Sequence, residues 1–323
     1  MKKNISKLTN ILLPLLLGVF LVYYAYSQFT EQQIEEMKSQ FRGANYNYII
    51  ISSIFSVLSL WARAYRWKYA LSYMGHPVST STNFMAISIG YLLNLTVPRS
   101  GEVSRAIILQ KYEKVPFDKG FGSIVSERVI DLICLLLCVF TALILQYSVL
   151  KDFLLLKVPV EKLAILGSIA LLGLVATIAI FYYSTWRVIT FIKQKIKGLT
   201  EGISSIFKMP NRIGFLFHTF LIWFGYIATF YFGTHALEAT STLSFPIVMS
   251  AFVAGSFAVS FTNGGFGAFP LVIAELLSLY GISFVSGTAF GWILWTTQTG
   301  IVVILGALSF LVLPIYYNKK TQN

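Results

Sequence analysis

The sequence predicts an all-α polytopic membrane protein, with about six full transmembrane helices and two re-entrant broken helical hairpins in an inverted repeat. Three observations predict it. The 323 residues are 56% hydrophobic and 12% charged, with a mean hydropathy of +0.71, a balance that marks an integral membrane protein rather than a soluble domain. Long apolar runs alternate with short charged turns. Two of the runs are interrupted, at Asn94-Leu95-Thr96-Val97-Pro98-Arg99-Ser100-Gly101-Glu102-Val103-Ser104-Arg105 and at Ser260-Phe261-Thr262-Asn263-Gly264-Gly265-Phe266-Gly267-Ala268-Phe269-Pro270. A broken helix at membrane depth must find partners for its freed backbone groups inside a bundle or beside a cavity.

The first apolar run, Leu8 to about Tyr24, follows Lys2, Lys3 and Lys7. Its length and the bulky Tyr23-Tyr24 pair favour an uncleaved anchor over a signal peptide. A polar loop from Gln28 to Asn45 follows. The second span, about Tyr46 to Leu60, ends in Trp61-Ala62-Arg63-Ala64-Tyr65-Arg66-Trp67-Lys68, an aromatic–cationic alternation that reads as interfacial anchoring, with a direct lipid-phosphate contact by Arg63 or Arg66 as the lesser alternative. Next come the first broken segment (about Asn83 to Gln110), a charged turn (Lys111 to Lys119) and a long apolar helix to about Gln146. A further span reaches Tyr183. Ser184–Arg212 then carries six cations among apolar residues, the composition of an amphipathic helix on an anionic leaflet. A span from about Ile213 to Leu237, the second broken segment (about Phe245 to Tyr280) and a last span (about Val285 to Leu313) complete the chain, with Lys319 and Lys320 in the tail.

Each broken segment either crosses the membrane or returns to its own side. If both return, nearly all the cations fall on one side; if both cross, the asymmetry disappears. The positive-inside rule therefore favours two hairpins, the first entering from the cytoplasm and the second from outside. Both termini are then cytoplasmic, in what reads as a bacterial plasma membrane. The pattern span, broken hairpin, span occupies 46–147 and recurs in opposite orientation over 213–313. The single membrane domain thus divides into 1–45, a first half 46–147, a connector 148–212, a second half 213–313 and a tail 314–323.

The net charge of +12 needs no nucleic acid, because the cations flank apolar spans and suit anionic head groups. Cys134 and Cys138, one helical turn apart, read as inert thiols, and His76, His218 and His235 are isolated. No metal or cofactor is expected.

Ionisable residues at membrane depth mark a substrate pathway. Pro98 suits the first turn of a new half-helix, with Thr96 as its N-cap, and Arg99 adds a charge to the dipole of that terminus. In the second break Asn263 is the cap candidate, Gly264, Gly265 and Gly267 permit close backbone approach, and Pro270 starts the next helix. Two such N-termini and one Arg suit a phosphate. Glu102 and Arg105 share a helix face with Arg99, so a structural salt-bridge ladder is the alternative reading. Glu127, Arg128 and Asp131 begin the following span and read either as mutual neutralisation or as gate ion pairs for Arg99 or Arg105. Asn94 and Gly101 complete the pathway set, Glu275 is a candidate coupling carboxylate, and Thr296, Thr297 and Gln298 offer polar lining on the last span, with helix–helix hydrogen bonding the favoured role.

Pro98-Arg99-Ser100-Gly101-Glu102-x-x-Arg105, Glu127-Arg128-x-x-Asp131 and Gly264-Gly265-x-Gly267, in that order, resemble the motif series of the flippase-like domain of lysylphosphatidylglycerol synthetase–flippase proteins. The resemblance covers nearly the whole chain. It implies movement of a modified phospholipid between leaflets, with Arg99, Glu102, Arg105, Glu127, Arg128 and Asp131 as pathway residues. Two positions depart from the family pattern. Pro270 stands where a Glu is frequent, and no basic residue occurs around Trp292–Thr297. The aminoacyl-tRNA-dependent transferase part of two-domain members is not expected here.

The resulting expectation is a flippase-like transporter of an anionic or aminoacylated phospholipid, or of a polyprenyl-phosphate lipid. The alternatives are a membrane-embedded lipid-linked aminoacyl or glycosyl transferase, or a non-transporting partner of one. The enzymatic alternative is disfavoured by the absence of a nucleophile–base set or an external acidic pair.

Overall fold

The computed structural model describes residues 29–97, 99–147 and 208–320, together with the isolated positions Tyr23, Ser27 and Trp186. The first span, the span reaching Tyr183, most of the basic segment Ser184–Arg212, and Pro98 lie outside the described residues. Among those described, every regular element is a helix: α1 (Glu31–Gly43), α2 (Tyr46–Tyr73), α3 (Thr80–Thr96), α4 (Ser100–Glu113), α5 (Phe117–Leu145), α6 (Arg212–Thr234), α7 (Glu238–Ser241), α8 (Phe245–Phe261), α9 (Ala268–Ser278) and α10 (Phe284–Lys320). Helices α2, α5, α6 and α10 are long and apolar enough to cross a membrane, so the chain is an all-α polytopic membrane protein.

The supposed loop after the first span is α1. Thr30 and Gln33 form a reciprocal capping box at its start, which satisfies amides that a helix start leaves bare. Met37 and Phe41 pack against the second core, and Gln40 donates to Ser286 at the start of α10. The last span also runs past its expected end. Helix α10 continues through Pro314, and the Tyr317 hydroxyl bonds Glu113 and Thr82 at the base of the first hairpin.

Among the described residues two large apolar cores form, beside a smaller cluster of Met85, Ile89, Leu313 and Tyr317. One gathers Trp67, Leu71, Ile87, Leu109, Ile124 and Phe215 around α2–α5. The other gathers Phe230, Phe252, Phe269, Ile273 and Phe290 around α6 and α8–α10, where Phe230 meets Phe252 and Phe290 edge-on. Helices α2 and α6 join the two. Their contact is polar as well as apolar: Ser52 donates to the Thr229 carbonyl at 2.7 Å, and Thr229 returns a bond to the Ser52 carbonyl at 3.2 Å. Small hydroxyl residues permit such close helix approach where no water competes.

Candidate functional site

The first break is a tight helical hairpin. Gly101 stands against the Gly90 carbonyl so closely that any side chain at 101 would collide with it. Arg99 takes a left-handed conformation (φ 63°) as the N-cap of α4 and makes no side-chain cap bond. The cap comes from α3 instead: Asn94 Oδ1 accepts from the Gly101 amide at 2.7 Å. Thr96, expected to cap α4, ends α3 and donates to the Leu93 carbonyl. A residue at the end of one helix cannot hold the β-region geometry that capping the next requires.

The second break turns on Gly264, Gly265 and Gly267, with φ of 64°, 80° and 71°. Residues with a Cβ avoid this region, so the glycines are there for backbone conformation more than for close approach. Gly267 is the N-cap of α9 and Pro270 lies in its first turn. Asn263 therefore caps nothing. Its Nδ2 donates to the Leu95 carbonyl at 3.0 Å, which joins the two breaks directly. Trp295 on α10 holds the Gly264 carbonyl at 2.8 Å.

Beside the first break lies a network of charges on α2, α4 and α5. Asp131 accepts from Arg63 and Arg66, both at 2.8 Å. Glu127 pairs with Arg105 at 2.8 Å and approaches Arg66 at 3.6 Å. Glu102 pairs with Arg128 at 2.9 Å. Arg105 also stacks over Trp67, 4.0 Å from the ring centre. No ladder links Arg99, Glu102 and Arg105 to one another; each points its charge elsewhere. Interfacial anchoring by Arg63 and Arg66 is likewise overturned, since both are buried and α2 continues to Tyr73. Their i,i+3 spacing in an apolar helix, with two carboxylates on α5 in need of partners, was the available signal.

Arg99 differs from the other four. It is exposed and makes no ion pair among the described residues. Counting it, five guanidiniums face three carboxylates. The cluster thus carries an excess of two positive charges, because Arg stays protonated in any protein environment.

A cavity of about 1040 Å³ joins the two breaks and the network. Arg63, Arg99, Glu102, Arg128 and Asp131 line its charged end, while Leu132, Leu135, Phe230, Phe252 and Val259 line apolar walls. Asn94, Asn263 and Gly264 also line it. Glu127, Arg105 and Gly101 lie behind the wall, and Gly265 and Gly267 shape the turn. Glu275 is exposed on α9, outside the lining. Sequence reasoning missed Tyr226, which accepts from Arg63 at 2.9 Å, as well as Ser56 and Trp223. Gln298 makes the expected helix–helix bond, accepting from Ser56 on α2. Among the described residues no cluster of His, Cys, Asp or Glu has metal-binding geometry.

A sequence model of the family described as "Lysylphosphatidylglycerol synthase TM region" matches residues 11–311. A UPF0104 membrane protein of Methanocaldococcus jannaschii, MJ1595, is 29% identical over 114 residues. That match spans 34% of this chain and about a third (33%) of the relative's length. No solved structure matches the chain.

Proposed function

We propose that this chain, which belongs to the lysylphosphatidylglycerol synthase transmembrane-region family, moves an anionic phospholipid or polyprenyl-phosphate lipid between leaflets. One observation carries the reading: a single cavity with a cationic end and apolar walls runs between two helix breaks that touch. A lipid has the same division, with an anionic head and apolar chains. The volume of about 1040 Å³ suits a head group and the first part of its chains, at the top of the range for small-molecule sites.

Arg99, which makes no ion pair among the described residues, makes first contact with the head group. The phosphate then competes with Asp131 for Arg63 and with Glu102 for Arg128. Those carboxylates are the gate: they neutralise the guanidiniums while the site is empty, which avoids the cost of isolated charges at membrane depth. The halves α2–α5 and α6–α10 form an inverted repeat whose broken hairpins re-enter from opposite sides. Rocking one half against the other exposes the cavity alternately. In this arrangement both termini face the cytoplasm, and the basic segment Ser184–Arg212 rests on the anionic leaflet.

Lipid movement in proteoliposomes tests the proposal. Wild type is compared with Arg99→Ala for labelled phosphatidylglycerol, aminoacylated phosphatidylglycerol and polyprenyl phosphate. The expected result is movement of at least one lipid, reduced tenfold or more in the variant while the melting temperature in detergent holds. A well-folded wild type that moves none of the three overturns the proposal and leaves a partner or transferase role.

A further inference from the structure

Away from the charged end, the cavity carries polar groups that are half used. Gln298 accepts from Ser56 through Oε1, but its Nε2 is buried with no hydrogen-bond partner. Asn263 spends Nδ2 on the Leu95 carbonyl, which fixes its amide orientation, and its Oδ1 is buried and bare. The Trp223 indole N–H is buried and bare, its ring set edge-on against Tyr226 and Phe252. At the charged end Glu102 gives Oε1 to Arg128 and leaves Oε2 bare. All four residues line the one cavity. A buried polar atom without a partner is costly, so a wall holding three bare donors (Gln298 Nε2, Trp223 Nε1 and, at the charged end, Arg63 Nε) and two bare acceptors is built for something that supplies both. A phosphate alone supplies only acceptors. A cationic aminoacyl group would meet five guanidiniums against three carboxylates.

We infer that the cavity holds the hydroxyl groups of a polyol-phosphate lipid head: Gln298 and Trp223 donate to hydroxyl oxygens, Asn263 and Glu102 accept their protons, and the phosphate lies at Arg99. The inference rests on the lipid-transport reading and narrows it to anionic heads bearing glycerol or sugar hydroxyls. Each hydroxyl is donor and acceptor at once, which matches the mixed wall. A site built for hydroxyls discriminates strongly against an analogue that lacks them, because its own groups then stay unpaired.

The test uses two lipids of equal charge, phosphatidylglycerol and phosphatidylmethanol, in proteoliposomes of the full chain. Wild type should move the first at least ten times faster. In the double variant Trp223→Phe, Gln298→Met, which removes these two donors and keeps the walls apolar, that ratio should fall to near one. Equal rates in wild type, or an equal fall for both lipids in the variant, overturns the inference and leaves water as the partner of these groups. Thermal shift in detergent with the same lipids reads the preference without transport. Selective stabilisation by phosphatidylglycerol, lost in the variant, supports the subsite even if nothing is moved and the transport reading fails. Stabilisation by both lipids alike overturns it. Glycerol 1-phosphate that stabilises as well as phosphatidylglycerol assigns the groups to a free polyol phosphate and overturns the lipid assignment.

Discussion

Arg66, Arg105 and Glu127 are almost entirely withdrawn from solvent, with side-chain exposures of 0%, 1% and 1%. Removing one partner of such a group strands the others as uncompensated charge, at about 3–5 kcal/mol. Glu127→Gln should therefore lower the melting temperature in detergent sharply, and Arg99→Ala should hardly change it. Arg99 offers a second test. Its left-handed backbone costs a residue with a Cβ about 1–2 kcal/mol relative to glycine, and such strain persists where the conformation serves function. Arg99→Gly should thus raise thermal stability while reducing lipid movement. A variant that loses both would mean that the arginine holds the turn together. The candidate residues on α4 and α5 were legible as ionisable side chains at membrane depth. Their partners Arg63 and Arg66 were misread, because aromatic–cationic alternation looks the same at a lipid interface and in a buried network.

At the scale of elements, backbone conformation decides what can change. Gly265 has a φ of 80°, and a Cβ there would stand 2.9 Å from Val259. Gly265→Ala should cost about 1–2 kcal/mol from the backbone alone, read as loss of thermal stability, with the added contact deepening the loss. Helix α1 depends on its capping box. Thr30→Ala should cost about 1 kcal/mol, seen as faster hydrogen exchange of the amides at 31–34. This helix was legible in principle, since Thr30 and Gln33 have capping-box spacing. Its polarity hid it, because a search for apolar runs passes over a short helix that buries no residue fully and packs only partly covered side chains such as Met37 and Phe41 against the core.

At the scale of the whole molecule, the Leu95–Asn263 contact couples the two halves. If the halves rock during transport, tying this point should stop them. Leu95→Cys with Asn263→Cys, oxidised to a disulfide, should abolish lipid movement, and reduction should restore it; unchanged movement in the cross-linked protein would exclude rocking about this contact. The sequence alone determined the helical class, the positions of the breaks and the residue types around them. Hydropathy, proline and positive-φ glycine act within a few residues of the chain, so they can be read without knowing what lies opposite. Only the tertiary structure decided that Asn94 rather than Thr96 caps α4, that Asn263 reaches Leu95, and that Arg63 and Arg66 serve Asp131. Those partners come from different helices, and a hydrogen bond or ion pair forms only where packing brings the two faces within about 3 Å.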